Sequence, residues 1–255
     1  MNETVARIAY PLLGVVIIIA LWWAACHIFH VAPVILPPPE DVLFAFIKWF
    51  PLLMKEGWVT LQETVLGFLI ALIIGIPMAV AIANSRPLNL MFYPLLVGLQ
   101  SVPKVALAPI VLVWLGTGLE SKLAIVWLVA FFPIIIDTAA GLRSTPRELI
   151  ELARSLKASP WQAFYKVQFP AALPFVLTGA KVAITLAVIG AVIGEFMGAS
   201  SGLGYLLLSA TSQLNSPLAF AALFALSFLG LGVYAVVEIV EILLSRWLPP
   251  KGTGH

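Results

Sequence analysis

Apolar residues run almost unbroken through six stretches of this chain, about 11–29, 61–83, 90–115, 121–140, 174–194 and 218–244. Each approaches the roughly 20 residues a helix needs to cross a bilayer, so the pattern predicts six membrane-spanning helices and an all-α integral membrane fold in one transmembrane domain. The alternating segments of about ten residues that mark a transmembrane β-barrel are absent. After the first stretch the chain reads VAPVILPPPEDVLFAFIKWFP, where a proline run stops the helix and the following residues form a short amphipathic helix along the membrane surface.

The longest polar interruption, 143–170, lies between the fourth and fifth stretches and has a defined local grammar. Thr145-Pro146-Arg147-Glu148 pairs a Thr cap with proline at the first helical position and Glu at the third, a capping box. Leu149, Leu152, Ala153 and Leu156 then recur at helical spacing, while Arg147, Glu151 and Arg154 occupy another face. The device repeats at Ser159-Pro160-Trp161-Gln162, starting a second short helix that carries Trp161, Phe164 and Tyr165. Pro170 is expected to end it, and the turn between the two falls at Lys157-Ala158. Without further information the segment is either an amphipathic loop resting on headgroups, with Trp and Tyr at the interface, or a docking element. A DNA-reading helix-turn-helix is excluded, since a loop tethered at both ends to membrane spans does not enter a major groove.

Composition agrees with the spans. The chain is 62% hydrophobic and 10% charged over 255 residues, with mean hydropathy +1.06, whereas soluble domains carry about 25% charged residues. The net charge of +2 says little; its distribution says more. With the N-terminus inside, nine of the fourteen Lys and Arg residues fall in inner segments (Arg7, Arg86, Arg143, Arg147, Arg154, Lys157, Lys166, Arg246, Lys251) and three in outer ones (Lys48, Lys55, Lys122). Basic residues concentrate on the cytoplasmic side, so both termini and the 143–170 loop are expected there. The first stretch is longer than the 7–15 residues of a signal-peptide core, and Trp23 stands where a lipoprotein cleavage site requires a small aliphatic residue, so this stretch reads as a retained span.

Candidate chemistry is sparse. Cys26 is the single cysteine and cannot form an internal disulfide. His27 and His30 have no third ligand or convergent carboxylate, so no metal site is expected. No GxxxxGK[ST] phosphate loop occurs, and no Ser/His/Asp or paired-carboxylate arrangement suggests an intramembrane enzyme. No repeat relates the two halves, which disfavours a secondary transporter built from inverted repeats. Ionisable residues inside a span are functional candidates. Lys104 lies about mid-membrane, bracketed by Pro103 and Pro109. Gln100, Ser101 and Lys104 are read as lining a translocation path, the alternative being a lysine bonded to carbonyls freed by the prolines. Glu195 is placed at the outer mouth, as a gate or an interfacial carboxylate. Asp137 reads as a solvated anchor, Glu238 and Glu241 as cytoplasmic-side contacts, and Gly202 and Gly204 as a turn into a short re-entrant helix.

The 143–170 loop resembles the EAA loop of the membrane subunits of bacterial ABC importers, whose pattern is E-A-A, three residues, G, nine residues, then I-x-L-P. Glu151-Leu152-Ala153 and Val167-Gln168-Phe169-Pro170 match it at the family spacing. ILPPPEDV (35–42), VPKVALAPIVLVWLGTG (102–118) and GEFMGASSGLGYLL (194–207) are similar to the sulfonate, taurine, nitrate and pyrimidine-type importer permeases, so the likeness covers nearly the whole chain. The resemblance implies a type I ABC importer permease fold with six transmembrane helices and a cytoplasmic two-helix coupling loop. It implies an inner-membrane transport subunit, not an enzyme, acting as a homodimer with two cytoplasmic ATPase subunits and an extracytoplasmic substrate-binding protein. It implies no cofactor in this chain, ATP and Mg being held by the partner ATPase, and no nucleic-acid partner. Carried over residue by residue, Arg147, Glu151, Leu152, Ala153, Arg154, Leu156, Lys157, Phe169 and Pro170 are the coupling positions. The family glycine is replaced by Lys157. A lysine at positive φ costs about 1–2 kcal/mol, or the turn avoids that region. Within the group, Pro103-Lys104-Val105-Ala106-Leu107-Ala108-Pro109 is closer to the branch linked to thiamine-precursor pyrimidines and riboflavin than to the sulfonate and nitrate permeases, so the substrate expectation is a pyrimidine-like or other aromatic heterocycle, with a sulfonate, taurine or nitrate as the alternative.

Overall fold

A computed structural model describes residues 3–245. Arg246, Lys251 and the side chain of Arg7, counted above with the inner basic residues, lie outside what is described. The described residues form α1 (Glu3–Ile28), α2 (Pro39–Lys48), α3 (Phe50–Asn84), α4 (Arg86–Gln100), a 3₁₀ turn (Lys104–Leu107), α5 (Ala108–Leu115), α6 (Leu119–Arg143), α7 (Arg147–Ser155), α8 (Pro160–Ala163), a π-helical segment (Phe164–Gln168), α9 (Phe169–Phe196), α10 (Leu203–Ser212) and α11 (Ser216–Ser245). Five of the resulting helical stretches are long and apolar enough to cross a membrane, or six if the bent pair α4–α5 counts as one span. That pair corrects the third expected span. Its two arms meet at 93°, because Pro103 and Pro109 flank a stretch that cannot sustain the α-helical ladder.

The chain divides into two compact units. The larger, 60–200 with 228–255, holds the core around α9. Phe68 and Ala71 of α3, Val126, Ala130 and Ile134 of α6, and Val233 of α11 bury against Ala180, Ala183, Ile184 and Ala187 of α9. Helices α6 and α9 run antiparallel in contact along their length, and small residues permit it. A Cβ on Gly190 would lie 2.9 Å from Cα of Val126, one on Gly179 3.1 Å from the Pro133 carbonyl oxygen, and one on Gly141 3.1 Å from that of Ala172. Lipid offers no hydrophobic drive between helices, so close backbone approach at small residues carries the association.

At one end of this seam lies a buried polar network. Lys122 Nζ of α6 donates to Glu63 Oε1 of α3 at 2.6 Å, and Thr60 Oγ1 donates to Glu195 Oε1 of α9 at 2.6 Å. The Glu63 and Glu195 carboxyls are themselves neighbours, and Glu63, Lys122 and Glu195 are all nearly sequestered. Lys122, expected in an exposed outer loop, is thus an internal partner.

The smaller unit, 1–59 with 201–227, seats Trp22 of α1 against Phe220 and Phe224 of α11, with its Nε1–H donating to the Pro37 carbonyl at 3.1 Å. From Ala9 to Leu21 α1 is exposed but for half-buried Gly14, as a lipid-facing helix is. Glu56 accepts from the Gly202 amide at 2.7 Å, and Gly202 has φ +108°, a region open to glycine, where the chain turns into the short apolar helix α10.

At the other end of the α6–α9 seam lies the two-helix loop. Its second capping box forms as expected: Ser159 Oγ accepts from the Gln162 amide at 3.2 Å, and Gln162 Oε1 from the Ser159 amide at 2.9 Å. The first does not. α7 starts at Arg147 after Pro146, with no side-chain cap, and the Thr145 hydroxyl is buried without a partner among the described residues. Pro170 does not stop the second helix either. The Phe169 amide reaches back five residues to the Phe164 carbonyl, and this π segment absorbs the missing proline donor. Pro160–Phe196 is therefore continuous helical chain, 37 residues long.

Lys157 adopts φ +57°. Its amide donates to the Arg154 carbonyl at 2.9 Å and that of Ala158 to the Ala153 carbonyl at 3.0 Å, the paired bonds of a Schellman ending. Lysine therefore bears the left-handed strain in place of the family glycine. Lys157→Gly is expected to slow amide hydrogen exchange in α7 and the turn severalfold, equivalent to about 1 kcal/mol once the extra freedom of glycine in the unfolded chain is subtracted. Lys157→Val is expected to accelerate it, and exchange mass spectrometry on the two variants reads both effects.

Candidate functional site

The loop presents to solvent what an isolated segment would bury. Leu149 and Leu152 of α7, Leu156 at its C-terminal cap, and Trp161 and Tyr165 beyond the turn are all exposed, Leu156 at 74% and Trp161 at 70%. Ala153 is buried at 7%, and its face anchors α7. Arg147, Glu151 and Arg154 are exposed and make no ion pair among the described residues, so their charges are free to meet another protein. Trp161 stacks on Tyr165 with centroids 6.4 Å apart, and Phe164 packs on Phe169 at 5.9 Å, linking the second helix to the root of α9. Phe169 and Pro170 are half-buried at this root. The nine positions expected to couple thus divide: Arg147, Glu151, Leu152, Arg154 and Leu156 form an exposed knob, Ala153 and Lys157 shape its turn, and Phe169 and Pro170 join it to α9. The knob has both an apolar patch and unpaired charge, which suits docking in a partner's groove better than lying on headgroups.

The intramembrane residues fall in three places. Lys104 sits at the α4–α5 corner, its Nζ donating to the Gln100 carbonyl at 3.0 Å and lying 5.0 Å from the centroid of the Phe132 ring. Gln100 and Ser101 are exposed at the same corner. Lys104 thus bonds a carbonyl near the prolines, with exposed residues beside it. Glu195 is elsewhere. It is 1% exposed and held by Thr60, inside the polar network described above, so in this structure it lines no open surface. Its position at the last turn of a span suggested a mouth, but the packing of α3 and α6 against that turn encloses it.

The third place is a cluster that sequence reading did not assemble. Lys181 of α9 pairs with Glu241 of α11 and lies 3.8 Å from Glu238 Oε1, with the Tyr234 ring centroid 5.6 Å from its Nζ. Glu238 and Glu241, expected as cytoplasmic-side contacts, are partners of a lysine halfway along α9. Their spacing of three and the presence of Lys181 within an apolar stretch were legible; that α9 and α11 are neighbours was not. Asp137, expected as a solvated anchor, is half-buried against Gly179, where a Cβ would come 2.9 Å from its own Cβ. A carboxylate does approach His27, Glu40 Oε1 at 3.3 Å from Nε2, which the sequence had not suggested. Among the described residues no group of three or more His, Cys, Asp or Glu side chains gathers as metal ligands.

Residues 71–247 match the family described as binding-protein-dependent transport system inner membrane component. The chain is 36% identical over 251 residues to the riboflavin transport system permease protein RibX of Chloroflexus aurantiacus, covering 96% of this chain and 94% of that one. It is 34% identical over 238 residues to the formylaminopyrimidine transport permease protein ThiX of Halalkalibacterium halodurans, covering 93% and 95%. The fold matches an inward-facing structure of the MetNI methionine ABC transporter with TM-score 0.58 at 24% identity, over 74% of this chain and 98% of that one. The chain therefore belongs to the binding-protein-dependent transport inner-membrane components, the permease subunits of ABC importers.

Proposed function

We propose that this permease works as a homodimer with two cytoplasmic ATPase subunits and an external substrate-binding protein, and that its cargo is a pyrimidine-like or other aromatic heterocyclic solute. The observation that carries the reading is the α7 knob, exposed in both its apolar and its charged faces and continuous through α8 and the π segment with α9. A partner that grips Leu152, Leu156, Glu151 and Arg154 displaces one end of a 37-residue helical rod. The rod cannot slip along α6, because glycine-to-backbone contacts hold the two in register, so a push at the knob moves the packed pair as a body. ATP and Mg belong to the ATPase chain; this subunit transmits the motion and provides the path. Both termini and the knob lie on the cytoplasmic side in this reading, as the basic-residue distribution supports.

The heterocycle assignment draws on the sequence of the α4–α5 corner and on the relatives that transport riboflavin and formylaminopyrimidine. Gln100, Ser101 and Lys104 are assigned to the path at that corner, where discontinuous backbone needs protein or a water-filled cavity around it.

Three measurements check these points. Affinity purification of the full-length chain from its native membranes is expected to bring down a P-loop ATPase, and Glu151→Lys is expected to lose most of it by reversing the one acidic charge at the centre of the knob; retention of the ATPase by Glu151→Lys contradicts the docking role. A ligand screen on the cognate binding protein is expected to return a heterocycle, and a sulfonate or nitrate as the best ligand refutes the cargo assignment. In the reconstituted transporter, Lys104→Ala is expected to lower uptake and substrate-stimulated ATP hydrolysis by about tenfold or more, the scale of one lost charged contact, whereas unchanged values remove Lys104 from the path.

A further inference from the structure

Few side chains hold α4 in its unit. Leu96 alone among its residues is buried, in a cluster with Phe131, Phe132, Ile135 and Ala139 of α6, against which Tyr93 also packs. Asn89, Tyr93, Leu96 and Gln100 recur every three or four residues and share one face of α4, as Phe132, Ile135, Ala139 and Arg143 do on α6. A cation lies beside an aromatic ring at each end of this seam, with the roles of the two helices exchanged. At the α4–α5 corner, Lys104 Nζ stands 5.0 Å from the centroid of the Phe132 ring of α6. At the other end Arg143, the last residue of α6, has its Cζ 3.9 Å from the centroid of the Tyr93 ring of α4. A basic residue at the end of a span serves by default as an anchor among headgroups. Arg143 is instead turned onto helices. Its Nε–H donates to the Ala139 carbonyl at 3.2 Å and its Nη1 to Asn89 Oδ1 at 3.4 Å, while the ring covers one face of the guanidinium. Stacking and forked donation together suit Arg and not Lys, and the C-terminal end of a helix favours the cation.

Arg143 also stands at the root of the two-helix loop. The Ser144 amide donates to the Ala140 carbonyl at 3.0 Å and its hydroxyl to the Gly141 carbonyl at 2.8 Å, and α7 begins at Arg147. The grip on α4 is therefore made where the knob joins α6. We propose that Arg143 is a positioning residue of the transport cycle: its clasp on Tyr93 and Asn89 makes α4 follow α6, so that a push on the knob moves the α4–α5 corner and Lys104 with it. Without the clasp, Leu96 is the buried hold left on α4, and the loop end of the helix is free to lag behind α6. This rests on the importer reading and adds to it the contact through which the knob reaches the assigned path.

The clasp is tested on the full-length chain alone in detergent. Tyr93→Leu and Arg143→Met are each expected to speed amide hydrogen exchange in α4 about fivefold, the scale of one cation–π contact, and to leave α9 unchanged. The double variant is expected to do no more than either single. Unchanged exchange in α4, or effects that multiply in the double variant, overturns the clasp. The positioning role is tested in the permease–ATPase complex, with Cys26→Ser removing the only cysteine and Val105→Cys, at an exposed position beside Lys104, reporting on the corner through its rate with N-ethylmaleimide. ATP with vanadate is expected to change that rate about fivefold or more, and Tyr93→Leu or Arg143→Met to cut the change below about twofold with the ATPase still bound and hydrolysing ATP. Tyr93→Phe keeps the ring and is expected to match the parent, which a role for the phenol hydroxyl would not allow. No response in the parent, a response that survives Tyr93→Leu and Arg143→Met, a loss in Tyr93→Phe, or release of the ATPase by both variants overturns the positioning role. A parent that brings down no ATPase is a failure of the docking reading, and the exchange measurement still decides the clasp.

Discussion

Close backbone contact between α6 and α9 is the constraint on which the rest of this subunit depends. Both helices are apolar on most sides, so no hydrophobic pattern tells one face from another inside lipid; small residues do. Gly141, Gly179 and Gly190 each stand where a side chain would strike the backbone of the opposite helix, and Ala180, Ala183 and Ala187 fill the seam between them. With these helices in register, the Glu63–Lys122–Glu195 network at one end and the two-helix knob at the other are fixed relative to each other. A buried ion pair is weak support for stability, but with Thr60 it specifies which helix ends meet.

This arrangement underlies the proposed coupling of a short exposed loop to a membrane path. α7 is short and held by a strained Schellman turn at Lys157, while α8 passes through a π segment into α9 without a break. Pro170, which looks like a terminator, is the reason the π segment exists. The loop's exposed leucines and Trp161 would be a liability on a free cytoplasmic surface, and they are accounted for once an importer's ATPase is their neighbour.

Much of the fold was legible from periodicity. The apolar stretches, the proline-stopped surface helix, the Ser159 box and the amphipathic face of α7 all follow from local chemistry that acts within a few residues. The errors share one cause. Thr145 has the right neighbours for a cap but is turned inward by tertiary packing. The third stretch has span length but holds a 93° corner, since hydropathy measures transfer into lipid and is blind to direction. Glu195 and Lys122 stand at span ends, where a charge is normally solvated, and were enclosed by helices far away in sequence.

By itself the sequence determined the membrane class, the apolar stretches and the amphipathic character of α7, because each is set by transfer free energy and by hydrogen bonding inside a single helix. Only the tertiary structure decided which charges meet: Glu63 with Lys122 across 59 positions, and Lys181 with Glu238 and Glu241. Partner choice between helices is fixed by the shapes of small-residue surfaces and by the cost of a charge left unpaired in a low-dielectric interior, and neither is encoded in the neighbours of the residue concerned.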